Sequence, residues 1–252
     1  MKSAFAFAAL PALLLAAGCN KGGDTTANTA IPSAPSGSIA AVAAPAGQNW
    51  VDTVAKTTDG GYLMGNPAAP LKLVEYGSRT CPHCAKFDAE DFPKLKANYI
   101  ASGKVSYEFR DFPVHDTLDM APIILGRCVD PATFFPMLDQ MMANQDKLLG
   151  NFSKVDQSKF GTMSPSQVTT SLAQQLGYLD FVKQRGLPEA QAMKCLNDPA
   201  GYTAIASETA KANSQYNISS TPTFILNGKV VDEALGVDPW VSVENALKSA
   251  GA

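Results

Sequence analysis

Cys81-Pro82-His83-Cys84 sets two thiols two residues apart, where the apolar stretch Leu71 to Tyr76 gives way to a helical pattern beginning near Cys84. Thiol chemistry is carried by the thiolate. A helix N-terminus stabilises one, because its first N–H groups lack intrahelical acceptors and the helix dipole is positive there. Pro82 suits the first helical turn, which has no use for a proline's missing N–H. His83 is expected to add a donor or a positive charge beside Cys81 and lower its pKa further. A stabilised thiolate favours the dithiol, so the disulfide becomes the stronger oxidant. The four residues point to thiol–disulfide exchange.

Three more cysteines complete the set of five: Cys19, Cys128 and Cys195. Residues 1–18 carry one basic residue, Lys2, and then an apolar run from Ala4 to Ala17 interrupted by Pro11. That run is too short to span a bilayer comfortably and reads as a signal peptide. Its end, Leu15-Ala16-Ala17-Gly18-Cys19, resembles a bacterial lipobox in which Cys19 is lipidated, with Ala16 where leucine is usual. The alternative is cleavage near Ala17, leaving Cys19 a free thiol. Export implies an oxidising compartment, where disulfides persist. With Cys19 lipidated and Cys81 and Cys84 the close pair, Cys128 and Cys195 are left to each other as a structural disulfide; two separate buried thiols are the alternative. Zinc normally needs four ligands, and neither a second C-x-x-C nor more than two histidines, His83 and His115, is present. No metal and no cofactor is expected.

The net charge is −3, from 20 basic and 23 acidic residues, and no Lys/Arg run exceeds two, which argues against nucleic acid as a partner. Residues 19–48, rich in Ala, Pro, Ser and Gly, read as a disordered tether reaching about 30 Å. From 49 onward the pattern is α/β. Tyr62-Leu63-Met64-Gly65 and Leu71 to Tyr76 read as strands. The helix after Cys84 runs through Phe87, Phe92 and Leu95 to about Ala101, kinked at Pro93. Lys104 to Arg110 alternates as a half-buried strand, Val105, Tyr107 and Phe109 facing one way and Ser106, Glu108 and Arg110 the other. Strand signals then stop for about a hundred residues. Helix starts appear at Asp130-Pro131, Asp198-Pro199 and the capping-box pattern Ser164-Pro165-Ser166-Gln167. Thr223 to Leu226, Asn227-Gly228 and Lys229 to Val231 spell a hairpin, and Asp238-Pro239 opens a last helix to about Lys248.

Together these features resemble the thioredoxin superfamily, and within it the DsbA family of exported thiol–disulfide oxidoreductases. The resemblance covers about residues 50 to 250 and rests on Cys81-Pro82-His83-Cys84, on Glu75 six residues earlier, on Thr221-Pro222 before the hairpin and on the helices in the middle. Arg127-Cys128 with the distant Cys195-Leu196 resembles the α-proteobacterial branch, which carries a second, non-catalytic disulfide. The resemblance implies an α/β thioredoxin fold with an inserted helical domain: 49–114 and 206–252 form the thioredoxin part and 115–205 the insertion. It implies that Cys81 is the nucleophile and Cys84 its less exposed partner. Glu75 is implied to be a buried carboxylate relaying a proton to Cys84, its pKa raised by burial. Thr221-Pro222 is implied to be a cis peptide whose backbone pairs with substrate. His115 reads as a surface or loop histidine, and the methionines from Met120 to Met142 as core filling, or else the lining of an apolar substrate groove.

The function implied is donation of a disulfide to reduced exported proteins in the bacterial envelope, by a periplasmic monomer held to a membrane through its lipid. A quinone-linked membrane protein resembling DsbB would reoxidise it. An isomerase or reductase resembling DsbC or DsbG usually has an N-terminal dimerisation domain, for which residues 20–48 are too short and featureless. A thiol-based copper(I)-binding lipoprotein is the alternative of another class.

Overall fold

The computed structural model describes residues 37–232 and 237–252. The signal peptide, Cys19 and the tether up to residue 36 lie outside the described residues. Six strands and ten helices are formed among the described residues. They are β1 Val54–Lys56, β2 Tyr62–Gly65, β3 Leu71–Gly77, α1 Pro82–Glu90, α2 Phe92–Leu95, β4 Val105–Asp111, α3 Thr117–Arg127, α4 Phe134–Ala143, α5 Gln145–Leu149, α6 Pro165–Gln175, α7 Tyr178–Lys183, α8 Glu189–Leu196, α9 Pro199–Tyr216, β5 Thr223–Leu226, β6 Lys229–Val230 and α10 Pro239–Ser249.

The sheet order is β1-β2-β4-β3-β5-β6, with β3 and β4 parallel and every other neighbouring pair antiparallel. The parallel pair needs a crossover, and α1 with α2 supplies it. β3 is therefore internal, which puts Glu75 under cover and delivers the chain at Gly77 to the start of α1. Three apolar clusters hold the layers. One sheet face packs Tyr62, Leu73, Tyr107 and Phe109 against Phe87 of α1, Phe134 and Phe135 of α4, and Val243 of α10. The other face sets Tyr76 and Ile225 against Ala212 of α9. Helices α3 to α9 share a separate core that includes Ile123, Leu172, Val182 and Ile205.

Several signals act where they were read. Ser164 and Gln167 form both halves of a capping box on α6, and Asp198 and Asp238 cap α9 and α10. Asn227 and Gly228 both take positive φ, 49° and 80°, as a two-residue hairpin turn requires. Other elements differ from the expectation. The helix after Cys84 breaks at Asp91, and a wide turn, Lys96–Ile100, follows α2. β4 is covered on both sides: Ser106 and Glu108 are buried, Glu108 accepting from Thr57 Oγ1 and Arg110 Nε. Asp130-Pro131 opens only a short 3₁₀ turn before α4. α9 is one continuous helix across residue 205, where a domain boundary was expected.

The expected tether is shorter at its C-terminal end than 19–48. Ile39 N–H donates to Gly251 O, Val42 N–H to Ser102 O, and Trp50 Nε1 to Val42 O, while Ile39 packs on the sheet core. Gly103 makes room for this. It has φ +72°, and a Cβ there would meet Val42 O at 2.3 Å.

Candidate active site

Cys81 is the N-cap of α1 and Pro82 its first residue, so the open N–H groups of the helix face the Cys81 sulfur. Both thiols are free and buried, Cys84 (1 % exposed) more deeply than Cys81 (5 %). Their acidities are driven apart. Cys81 is lowered to about 5, chiefly because the Cys84 thiol donates to it; burial works against this, and the Thr221 side chain and the N–H groups of Cys84 and His83 add to it. Cys84 is pushed well above 9 by burial, by that same thiol–thiolate hydrogen bond and by the negative charge of Glu75. Near neutral pH the pair therefore holds one proton, on Cys84. The His83 side chain is exposed at the helix start, and its backbone N–H is among the donors that lower Cys81.

Glu75 is buried at 2 %, and Tyr107 Oη donates to its Oε2 at 2.7 Å. The close approach depends on Gly77, where a Cβ would sit 2.8 Å from Glu75 Oε1 and 2.4 Å from the Phe109 ring. Thr221-Pro222 is a cis peptide. Thr221 O lies 3.2 Å from Cys81 Sγ, near enough to accept from the thiol.

Residues 78–81, which carry the chain from β3 into α1, are almost wholly buried and held by partners far away in sequence. Gln145 Nε2 donates to the carbonyls of Arg79 and Cys81 at 3.1 and 3.0 Å. The Arg79 guanidinium donates to Asp111, 2.7 Å from Nε to Oδ1, and lies 5.0 Å from the centre of the Phe134 ring. Asp111 also accepts from Arg127, which reaches Glu208. Gly126 permits this packing, since a Cβ there would fall 2.2 Å from Arg79 Nη1. Met141 Sδ is 3.4 Å from the same nitrogen, so one of the expected core methionines is in contact with a buried cation. Ser78 and Thr80 both donate to Asp119, and Thr80 meets the ring of His115.

Sequence reasoning missed Arg79, Asp111, Asp119 and Gln145; His115, read as a surface or loop histidine, lies exposed in the turn before α3 with its ring against Thr80 Oγ1. Among the described residues, no group of three or more His, Cys, Asp or Glu side chains could hold a metal ion, and no helix is long and apolar enough to cross a membrane. Cys128, at the end of α3, and Cys195, in α8, are joined in a disulfide that spans 67 residues of sequence.

The family model described as thioredoxin matches residues 57–243. The chain belongs to the thioredoxin family. Among thioredoxin-family relatives, a Rickettsia felis protein named as a protein-disulfide oxidoreductase is 30% identical over 174 residues, covering 69% of this chain and 55% of its own length. A Rickettsia prowazekii protein named likewise is 30% identical over 194 residues, 71% of this chain and 63% of its own. This thioredoxin-family chain thus spans 55% to 63% of the length of those two curated relatives. The crystal structure of a protein-disulfide isomerase from Novosphingobium aromaticivorans is 31% identical, with a TM-score of 0.69 over 77% of this chain and 98% of that one. Wolbachia pipientis α-DsbA1, 22% identical with a TM-score of 0.57 over 76% of this chain and 90% of its own, has the same thioredoxin-like fold.

Proposed function

We propose that this protein is an exported thiol–disulfide oxidoreductase that donates the Cys81–Cys84 disulfide to reduced proteins of the bacterial cell envelope. The observation that carries the reading is the opposed acidity of the two thiols, Cys81 held at about 5 and Cys84 far above it. A substrate thiolate attacks Cys81 Sγ of the oxidised pair, and the Cys81–Cys84 bond breaks. Cys84 leaves with the electron pair and is protonated, as its raised pKa demands. A second substrate thiolate then attacks the substrate sulfur of the mixed disulfide and expels Cys81, which departs as a stable thiolate. The substrate loses two electrons to form its disulfide, and the protein gains them as its dithiol.

In this reading Glu75, with Tyr107, serves as the proton exchanger beneath Cys84. The cis Thr221-Pro222 peptide, beside Cys81, lines up the backbone of the substrate. Cys19 is the lipid attachment site, and a quinone-linked membrane protein restores the disulfide. The relatives named for disulfide chemistry support the reaction class. The test is stoichiometric: oxidised protein is mixed with a reduced two-disulfide substrate under argon, and refolding is followed with the protein's own thiols. Transfer of one disulfide per molecule is expected. A reduced pair that never appears would remove the proposal.

Isomerisation is the second reading, favoured by the name of the Novosphingobium structure. It requires reduced protein to rescue a scrambled substrate without added oxidant. The same two substrates, native-reduced and scrambled, therefore separate the readings.

A further inference from the structure

The proposed reaction uses Glu75 on one side of the dithiol and leaves a second buried carboxylate unused. Asp119, on α3, is 0 % exposed. Its Oδ1 accepts from Ser78 Oγ at 2.7 Å and from Thr80 Oγ1 at 2.6 Å, and its Oδ2 accepts from the His115 N–H at 2.7 Å. Three donors converge on this one carboxyl and can all be accepted by its ionised form. Burial opposes that charge and raises the Asp119 pKa from 3.8, while the Thr80, Ser78 and His115 donors pull it back.

With Asp119 ionised, the hydroxyls have a consistent set of roles. Thr80 Oγ1 has one hydrogen, used on Asp119, so toward His115 Nδ1 at 2.7 Å it can only accept. In that arrangement the His115 ring donates to Thr80 Oγ1 from Nδ1. Ser78 Oγ likewise spends its hydrogen on Asp119 and accepts the Thr80 N–H at 3.1 Å. What the cluster orients is the loop before Cys81: the Ser78 N–H points at Cys84 Sγ, 3.4 Å away. That donor is the contact through which residues 78–80 reach a reacting sulfur.

We propose that Asp119 and His115 are positioning residues for the dithiol: by holding Ser78 and Thr80 they keep the Ser78 N–H on Cys84 Sγ and so set how strongly the pair prefers its reduced form. The reason is differential. An N–H donor stabilises an electron-rich thiol or thiolate sulfur and does little for a disulfide sulfur, which is a poor acceptor. Loosening the loop therefore costs the dithiol more than the disulfide and makes the protein a weaker oxidant. A hydrogen bond of this kind corresponds to a shift of about three- to tenfold in the thiol–disulfide equilibrium.

The inference rests on Cys81–Cys84 being the working pair, and the experiment separates the two. The whole protein is equilibrated with reduced and oxidised glutathione, and its oxidised fraction is read by alkylation. If the wild-type pair does not exchange, the proposed function fails; if it exchanges, the variants decide the inference. Thr80→Val keeps the β-branched shape and deletes the node between His115 and Asp119, and is expected to move the equilibrium three- to tenfold toward the disulfide. Asp119→Asn turns an N–H group against one of its three donors and should move it the same way. His115→Ala should follow, while His115→Asn, whose side-chain N–H can replace Nδ1 against Thr80, should return within twofold of wild type. A role confined to stability would lower the melting temperature and leave the equilibrium within twofold in Thr80→Val, which overturns the inference. So does a His115→Asn variant as far displaced as His115→Ala. Thr80→Val and the two His115 variants decide the matter if Asp119→Asn does not fold.

Discussion

The molecule holds two cysteine pairs of opposite character. Cys128 and Cys195 are bonded across 67 residues of sequence, Cys128 at the C-terminal end of α3 and Cys195 in the last turn of α8. Cys81 and Cys84 stand two residues apart as free thiols at the start of α1, and their acidities are forced apart by that placement. Cross-linking a long loop removes much freedom from the unfolded chain, about 4 kcal/mol on the entropic account, whereas a two-residue spacing removes little. The first pair is built to stay closed and the second to open. The difference comes from surroundings, because the residue type is the same.

The largest effect should follow from exchanging their fates. Cys81→Ser is expected to abolish disulfide donation, to below about 1% of wild type, because it removes the attacked sulfur. A double Cys128→Ala, Cys195→Ala variant should still donate while losing about 2–4 kcal/mol of stability. Donation assays and urea unfolding on the same preparations check both halves. A Cys81→Ser protein that still donates would break the contrast.

Next in size is the buried charge chain that stands between the pairs. Arg79 precedes Cys81 by two residues, Arg127 directly precedes Cys128, and Asp111 accepts from both. Asp111→Asn would leave a fully buried guanidinium without its carboxylate, at a cost of about 3–5 kcal/mol. The carboxyl of Asp111 is held below its ordinary value by the two arginines despite burial, so the variant should also flatten the stability loss that wild type shows on acidification. Urea midpoints at pH 3 and pH 7 measure both.

The two pairs were unequally legible in the sequence, as were their supports. Cys81-Pro82-His83-Cys84, the capping box at Ser164 and the turn at Asn227-Gly228 are local patterns, in which neighbours along the chain are neighbours in space. The whole Cys81 approach is different. Asp119 lies 39 and 41 residues from the hydroxyls it holds, Asp111 lies 32 from Arg79, and Gln145 lies 64 and 66 from the carbonyls it caps. Contacts of that span leave no periodicity or spacing to read. Even His115 and Asp119, four residues apart, meet through the His115 backbone N–H in the turn before α3 rather than along a helix face. The burial of Glu108 was hidden for a related reason: its alternation reads as half-buried until Thr57, in the β1–β2 turn 51 residues earlier, reaches it.

A pH experiment sharpens the contrast within the active pair. Cys81 falls from an ordinary 9.0 to about 5 in the folded dithiol. A depressed acid contributes stability that is fully present above its unfolded pKa and is lost as pH falls through its folded pKa. The reduced protein should therefore gain on the oxidised one as pH rises from about 5 to 8.5, by about 2–3 kcal/mol between pH 5.5 and 7.5. Paired unfolding curves of the two redox forms measure it, alongside the thiolate absorbance of Cys81, whose midpoint should lie near 5. A constant gap between the two forms would mean that the native thiol is no more acidic than an unfolded one.

The smallest effect tests whether the shift belongs to the start of α1 rather than to the helix as a whole. Asp88, one turn beyond Cys84 on the same helix, moves the opposite way, raised to about 7 by burial and by the neighbouring Asp139 carboxylate on α4. Asp139 is itself raised, with Lys96 Nζ 3.8 Å from its Oδ2 as the nearby cation. The pair keeps a proton that the unfolded chain would release near pH 4, so folding binds it, and stability declines as pH rises from about 4 to 7. Asp88→Asn carries its own N–H and needs no proton. It should match wild type at pH 4 and exceed it by about 1 kcal/mol at pH 8, a modest figure because both side chains reach solvent. Unfolding midpoints at the two pH values read the difference. Equal gains at both would assign the effect to packing and leave the two ends of α1 electrostatically alike.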